Sequence, residues 1–337
     1  MEKDNNELIK EMLSGIKLLK KDTPGIELLF KAQSIINEAT VNPSLYNEMP
    51  YIISTQNMRY LDKVTGQPDN TCIVLGSGDT LFDLLSRGIK NITAVEISDL
   101  QILVYKLRRA ALLTLNKNEF EDFIVASGGL KFLDKDIYKY VSEALKDDEV
   151  SYNVWNNMFE MNPKEDLIKY FFKGIGIDPY KARSSLKYYK KYPTYKKIQD
   201  NLSSANIKIV NDDIFNYLMN SKEKFDYIDL SNVLLFVYQL LCNDDEKLFA
   251  KKLDNIKQIY ENNLNIAGTL VFDYLFGIDI ASLSKKDKDP KYIEYIKRIY
   301  EITYMYLKNN FDLKTTEVSK VIDGFGPKND TVIYTKK

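Results

Sequence analysis

Apolar residues recur along this chain either in short continuous runs or at helical spacing. The run TCIVL leads into the glycine loop GSGD, and the helically spaced stretch LFDLLSRG follows it, with Gly88 as the predicted C-terminal stop. The β-branched run NITAVE comes next and ends in Glu96. This order predicts a strand, a glycine loop, a helix and a second strand.

A second amphipathic helix is predicted directly after this strand. Ser98 precedes Gln101 by three residues, which is a capping-box pattern, and the apolar positions that follow recur on one helix face. Those positions are Leu100, Leu103, Val104, Leu107 and Ala111.

Later apolar runs repeat the strand pattern, each followed by polar or acidic residues, as in NIKIVNDD, KFDYIDLSN and AGTLVFDY. Helical stretches separate these runs. The alternation predicts an α/β fold with a Rossmann-like, doubly wound and mostly parallel sheet. At the C-terminus, FDLKTTEVSKVI and DTVIYTKK flank the loop DGFGPKN and predict an antiparallel strand pair.

Two segments lie outside this predicted core. Residues 1–68 are predicted to form an N-terminal helical segment, and residues 128–205 are predicted to form a long helical insertion that contains the sole tryptophan, Trp155. The core then comprises residues 69–127 and 206–337. Ligands of such folds bind beyond the carboxyl ends of the strands, so we expect the insertion to cap the active site.

Composition narrows the chemistry. Lys plus Arg total 47 against 48 Asp plus Glu, so we expect no nucleic-acid partner bound by global positive charge. Histidine is absent, which excludes His-based triads and disfavours a catalytic zinc, and no metal is expected.

Cys72 and Cys242 are far apart and are predicted to be buried thiols in a reducing compartment. No apolar run reaches the ~18 residues of a membrane span, and we expect a cytoplasmic protein.

The glycine loop and Glu96 together favour a bound nucleoside. The glycines alone are weak evidence for a bound nucleoside, because tight strand-to-helix turns need glycine for steric reasons. A carboxylate at the end of the second strand, however, is placed to accept hydrogen bonds from the ribose hydroxyls of an adenosine. Leu81 stands where a dinucleotide-binding loop has its third glycine, and no Walker lysine follows, so phosphate-binding interpretations are disfavoured.

The chain resembles class I S-adenosylmethionine-dependent transferases across most of its length. The usual methyltransferase loop has an acid and a third glycine where this chain has Val74 and Thr80. The loop looks more like that of the enzymes that transfer the 3-amino-3-carboxypropyl group, especially the betaine-lipid type. The stretches AVEISDLQILVYKLRRAAL, FDYIDLSNVL and LYNEMP are similar to that family, over roughly residues 44–115 and 206–275.

This resemblance implies S-adenosylmethionine as the cofactor and a small-molecule or lipid-derived acceptor, with release of methylthioadenosine. Three alternatives stay open: cyclisation of the cofactor to azetidine-2-carboxylate, a methyltransferase with an atypical loop, and a noncatalytic nucleoside-binding module. The cofactor-binding candidates are Gly76, Ser77, Gly78, Asp79, Glu96, Ile97, Gln101, Asp213 and Ile214. The catalytic candidates are Asp229 as proton acceptor, Ser231 and Asn232 at a strand end, and Tyr46 beside the acceptor.

Several of these residues also have structural interpretations. Asp79 is a candidate for binding the cofactor's ammonium group, but an acid at that position is equally typical of a helix N-cap. Asp213 has the same two interpretations, beside the adenine or as a cap. Ser231 and Asn232 are typical of a turn that follows a strand.

Overall fold

The computed structural model describes residues 27–32, 34, 52, 60–64, 66–124, 131–168, 171, 191–231, 233–236, 245–272, 290–319 and 329–337. Three residues named above lie outside these ranges: Tyr46, Asn232 and Cys242. The predictions made for them therefore stay predictions.

A seven-stranded sheet forms the centre of the protein. Its strands are β1 (Thr71–Val74), β2 (Asn91–Glu96), β3 (Asn206–Asn211), β4 (Phe225–Asp229), β5 (Leu264–Phe272), β6 (Lys314–Ser319) and β7 (Asn329–Lys336). They lie in the order β3-β2-β1-β4-β5-β7-β6. β1 to β5 pair in parallel, whereas β7 is antiparallel to both β5 and β6. This arrangement confirms the predicted Rossmann-like, class I methyltransferase-like α/β fold with its C-terminal antiparallel pair.

Helices connect the strands and cover both faces of the sheet. They are α1 (Leu61–Val64), α2 (Asp79–Arg87), α3 (Asp99–Thr114), α4 (Lys117–Ile124), α5 (Lys135–Glu143), α6 (Glu149–Met161), α7 (Lys164–Ile168), α8 (Tyr192–Ser204), α9 (Ile214–Asn220), α10 (Val233–Phe236), α11 (Glu246–Asn262) and α12 (Pro290–Asn310).

Alternation along the central strands builds one hydrophobic core on each face. Ile73 and Tyr227 pack with residues of α2 and α3, whereas their neighbours Cys72 and Ile228 pack with residues of α9 and α11. Successive side chains of a strand point to opposite faces, so each strand contributes to both cores. Burial on both faces is why these strands are continuous apolar runs in the sequence.

Glycines bound the helix that follows the first strand. Gly88 is the C-cap of α2 at φ 93°, and its N–H donates to the carbonyls of Leu84 and Leu85, which confirms the predicted stop. At the other end, Gly78 at φ 87° is the N-cap, and Asp79 is the first helical residue. The N-cap interpretation of Asp79 is therefore wrong, because the left-handed turn that starts the helix falls on the glycine instead.

α3 begins as the sequence predicts. The backbone N–H of Gln101 donates to Ser98 Oγ at 3.3 Å. The predicted apolar stripe of α3 is buried along its length. These contacts fix the start of α3 at Asp99, with its N-cap Ser98 two residues beyond the end of β2.

Three helices of the predicted insertion, α5, α6 and α8, pack against α2 or α3. Trp155 Nε1 on α6 donates to the Leu103 carbonyl at 2.9 Å, and Asn201 Nδ2 on α8 donates to the Leu85 carbonyl at 2.7 Å. Side chains of α6 and α8 also join the hydrophobic cluster that α2 and α3 form with the sheet. The insertion and the core thus share one interior.

Cys72 is a free, buried thiol in the middle of β1, as predicted. Burial raises the pKa of this thiol, which keeps it protonated and a poor nucleophile.

Within the described ranges, no helix combines the length and the apolar character that crossing a membrane requires.

Because insertion and core share one hydrophobic cluster, we expect them to unfold in a single transition. Trp155 is the one tryptophan of the chain, so its fluorescence reports on the insertion, while far-UV circular dichroism reports on the whole protein. The two urea midpoints should coincide, with W155F supplying the tyrosine background. A fluorescence midpoint well below the circular dichroism midpoint would instead identify residues 128–205 as an independently unfolding domain.

Candidate functional site

Polar residues converge at the carboxyl edge of the parallel strands. The loop of residues 76–79 follows β1, Glu96 ends β2, Asp213 follows β3, and Asp229 ends β4. The strands are parallel, so all four positions lie at one edge of the sheet. In open α/β sheets this edge is where ligands bind.

The Glu96 carboxylate connects the glycine loop to the start of α3. Oε2 accepts the Gly76 N–H at 3.0 Å, and Oε1 accepts the Ser98 N–H at 3.0 Å. Burial raises the pKa of this carboxyl to about 7, although backbone N–H groups of Ser98, Gly76 and Ile97 act in the opposite direction. Backbone dipoles thus hold this side chain in a largely dry environment.

The other cofactor-binding candidates near Glu96 and Asp213 differ in exposure. Ile97 directly follows the acid and is 62% exposed, an unusual amount for an isoleucine. Gln101 and Ile214 are buried, and Ile214, the first residue of α9, packs in the hydrophobic core. Of these three side chains, Ile97 is the one that presents open apolar surface at the carboxyl edge.

Asp213 caps α9, as one of its two predicted interpretations requires. Its side chain accepts the Asn216 N–H at 2.9 Å. The preceding Asp212 accepts two bonds from Asn216 Nδ2, at 2.9 and 3.0 Å. Asp212 also donates its own N–H to the Glu96 carbonyl at 3.1 Å, which ties the start of α9 to the end of β2.

The glycine loop needs its glycines for two separate reasons. Gly76 and Gly78 have φ values of 49° and 87°, in the left-handed region that favours glycine. A Cβ atom on Gly78 would also lie 2.7 Å from Tyr105 Cδ2 and 3.1 Å from the Phe82 ring. The loop therefore follows a path that leaves no room for a side chain at position 78.

Asp79 is held from inside the protein. Ser77 Oγ donates to its Oδ2 at 2.5 Å, and Arg108 of α3 donates to its Oδ1 at 2.6 Å. Arg108 donates a second bond to the Ser77 carbonyl, also at 2.6 Å. We did not predict a role for Arg108. Its signal in the sequence is a charge four residues after Val104, on the apolar stripe of α3.

Asp229 lies at the end of β4 and has three donors. The phenols of Tyr60 and Tyr227 donate to Oδ2 at 2.6 and 2.9 Å, and the Ser231 N–H donates to Oδ1 at 2.8 Å. Burial raises the pKa of this carboxyl against the opposing effect of those hydrogen bonds. Ser231 itself has a φ of 50°, so the chain turns sharply there. Tyr60 carries no local motif and was not predicted.

No protein-family model and no curated protein sequence matches the chain. Among solved structures, it is similar to the O-methyltransferase from Bacillus cereus in complex with SAH, with 10% identity over 90% of this chain and 91% of the other, and a TM-score of 0.35. It is also similar to a methyltransferase from Pyrococcus furiosus, with 11% identity over 89% and 98% and a TM-score of 0.32. The strand order, rather than these distant likenesses, identifies the fold.

The raised pKa of Glu96 predicts how stability changes with pH. The carboxyl titrates at about 7 in the folded protein against an ordinary value of 4.5, so between these values the folded chain holds a proton that the unfolded chain has lost. The contribution of this group is thus greatest below pH 4.5 and is lost as the pH rises through 7. Relative to E96Q, we expect the free energy of unfolding of the wild type to fall by roughly 2–3 kcal/mol between pH 5 and pH 8.

Urea denaturation of both proteins across this range measures the effect. Burial also raises the pKa of Asp83, to about 6, and of Asp229, but these carboxyls are common to both proteins and cancel in the difference. In E96Q an amide group faces a backbone N–H donor, which lowers stability by an amount independent of pH. Parallel curves for the two proteins would contradict a raised pKa for Glu96.

Proposed function

We propose that the protein is an S-adenosylmethionine-dependent transferase that moves the 3-amino-3-carboxypropyl group to a small-molecule or lipid-derived acceptor and releases methylthioadenosine. The observation that carries the proposal is the Glu96 carboxylate, bound to the Gly76 amide at the carboxyl edge of a methyltransferase-like sheet. This pairing joins a ribose-binding acid directly to a glycine loop.

The described residues fit the adenosine half of this cofactor. A carboxylate offers about four acceptor positions, and the backbone N–H groups of Gly76 and Ser98 use two of those on Glu96. The remaining positions would accept the ribose hydroxyls. The exposed side chain of Ile97 would contact the adenine ring, and Asp213 at the start of α9 would lie beside its amino group.

The glycine loop and the end of β4 would hold the methionine half. S-adenosylmethionine supplies a sulfonium whose adjoining carbons are electrophilic. An acceptor lone pair would form a bond to the carbon of the aminocarboxypropyl group that is attached to sulfur, and the electrons of the broken C–S bond would return to sulfur. Loop amides and the turn at Ser231 would orient this group, and orientation supplies most of the rate in such a displacement. On the family resemblance alone, we assign Asn232 to the amino and carboxylate groups of this half and Tyr46 to the acceptor side.

Asp229 would take the proton that an amine or hydroxyl acceptor loses. Its burial favours this role, because a carboxyl with a raised pKa is a stronger base than an exposed aspartate. The phenols of Tyr60 and Tyr227 fix the orientation of the carboxylate. Fixed geometry reduces the reorganisation needed during proton transfer.

Methyl transfer is the second candidate. The antiparallel strands β6 and β7 at the end of the sheet are common to methyltransferase-like folds in general. They therefore favour neither methyl transfer nor aminocarboxypropyl transfer. Val74 and Thr80 replace the acid and the third glycine of the ordinary methyltransferase loop, and this difference favours aminocarboxypropyl transfer.

Incubating the purified protein with S-adenosylmethionine, with and without cell extract, and identifying the nucleoside product by mass spectrometry tests the proposal. We expect methylthioadenosine above a protein-free blank, which corrects for spontaneous breakdown, and we expect extract to increase it. S-adenosylhomocysteine as product would contradict the proposal in favour of methyl transfer. Methylthioadenosine together with azetidine-2-carboxylate in the absence of extract would show cyclisation instead.

A matched pair of variants separates chemistry from folding in the same assay. D229N should form product at least tenfold more slowly, because an amide cannot accept the proton. D226N makes the same change at the other end of β4, where the side chain accepts the N–H groups of Asp69 and Asn70, and should keep the wild-type rate. Equal rates for D229N and the wild type would remove Asp229 from the mechanism.

A further inference from the structure

Arg108 reaches from the third turn of α3 to the back of the glycine loop. Its guanidinium donates to both the Ser77 carbonyl and the Asp79 carboxylate, at 2.6 Å each, and lies 5.4 Å from the centre of the Phe82 ring. Arg108 and Asp79 are 0% and 1% exposed. The guanidinium thus clamps the main chain and a side chain of one short loop at the same time.

Global stability is a poor explanation for this pair. Moving two charges out of water costs several kcal/mol per ion, and a buried ion pair often contributes no more than apolar side chains of the same volume would. What a bidentate guanidinium adds is geometry, because its planar fork fixes the relative position of the groups it joins. Here those groups belong to the loop whose Gly76 amide binds Glu96.

We infer that Arg108 is a positioning residue, which holds the glycine loop in the shape that binds the methionine end of S-adenosylmethionine. The inference rests on the proposed function. α3 then supports both halves of the cofactor, since its N-cap residue Ser98 donates to Glu96 and its third turn holds the loop. Arg108 acts only through the loop and does not contact the ligand.

The clamp also changes the role of Asp79. Its two carboxylate oxygens bind Arg108 and Ser77, so the negative charge is balanced inside the protein. An ammonium group of the ligand would therefore gain little from Asp79. We assign this aspartate to the support of the loop rather than to direct recognition of the cofactor.

Two Arg-to-Lys variants test the inference. R108K keeps the charge but loses the fork that reaches Ser77 and Asp79 together. R87K is the matched control, because Arg87 likewise bridges two carboxylates, those of Asp83 and Asp62, but at the opposite end of α2 from the loop. We expect both variants to fold, and we expect the affinity for S-adenosylhomocysteine by calorimetry to fall at least tenfold in R108K and less than twofold in R87K.

Each other outcome is decisive. Equal affinities of R108K and the wild type would overturn the positioning role while leaving the proposed function intact. An equal loss of affinity in R108K and R87K, or failure of R108K to fold, would make Arg108 a residue of the general fold and would also overturn it. Absence of binding to the wild type itself would overturn the proposed function, and this inference with it.

Discussion

The buried carboxylate of Glu96 is the interaction on which the site depends. It accepts an N–H from the loop after β1 and another from the start of α3, so a single side chain fixes the relative positions of three elements. Its burial is unfavourable for an ionised group, which is why its pKa rises to about 7. Burying the Glu96 carboxylate is therefore electrostatically unfavourable, but it places a hydrogen-bond acceptor at the edge of the sheet.

The three buried carboxylates at this edge, those of Asp79, Glu96 and Asp229, are stabilised in three different ways. Backbone N–H groups hold Glu96, a guanidinium balances Asp79, and two phenols with one N–H hold Asp229. The difference matters for function, because a compensated charge serves as a scaffold whereas one held by neutral donors keeps its attraction for a ligand or a proton. The ion pair with Arg108 therefore marks Asp79 as a structural residue, whereas Glu96 and Asp229 are the acids that the proposed chemistry would use.

Local patterns in the sequence predicted the elements that neighbouring residues determine. The strand-loop-helix-strand unit, the stop at Gly88 and the cap at Ser98 all depend on residues a few positions apart, and the structure has each of them. The bond between Tyr60 and Asp229 spans 169 positions and leaves no local pattern, so it could not be predicted. Arg108 left a signal, a charge on an apolar stripe, but the sequence gives no indication of which loop it meets. The roles assigned to the site residues remain predictions.

The central claim is that Glu96 binds the ribose of an adenosine cofactor, and calorimetric titration with S-adenosylhomocysteine tests it most directly. The wild type should bind, and E96A should bind at least tenfold more weakly, a loss of about 1.4 kcal/mol or more. E143A removes an exposed glutamate of α5 and should bind like the wild type. Unchanged affinity in a folded E96A variant would contradict the account, because the nucleoside would then be bound without this carboxylate.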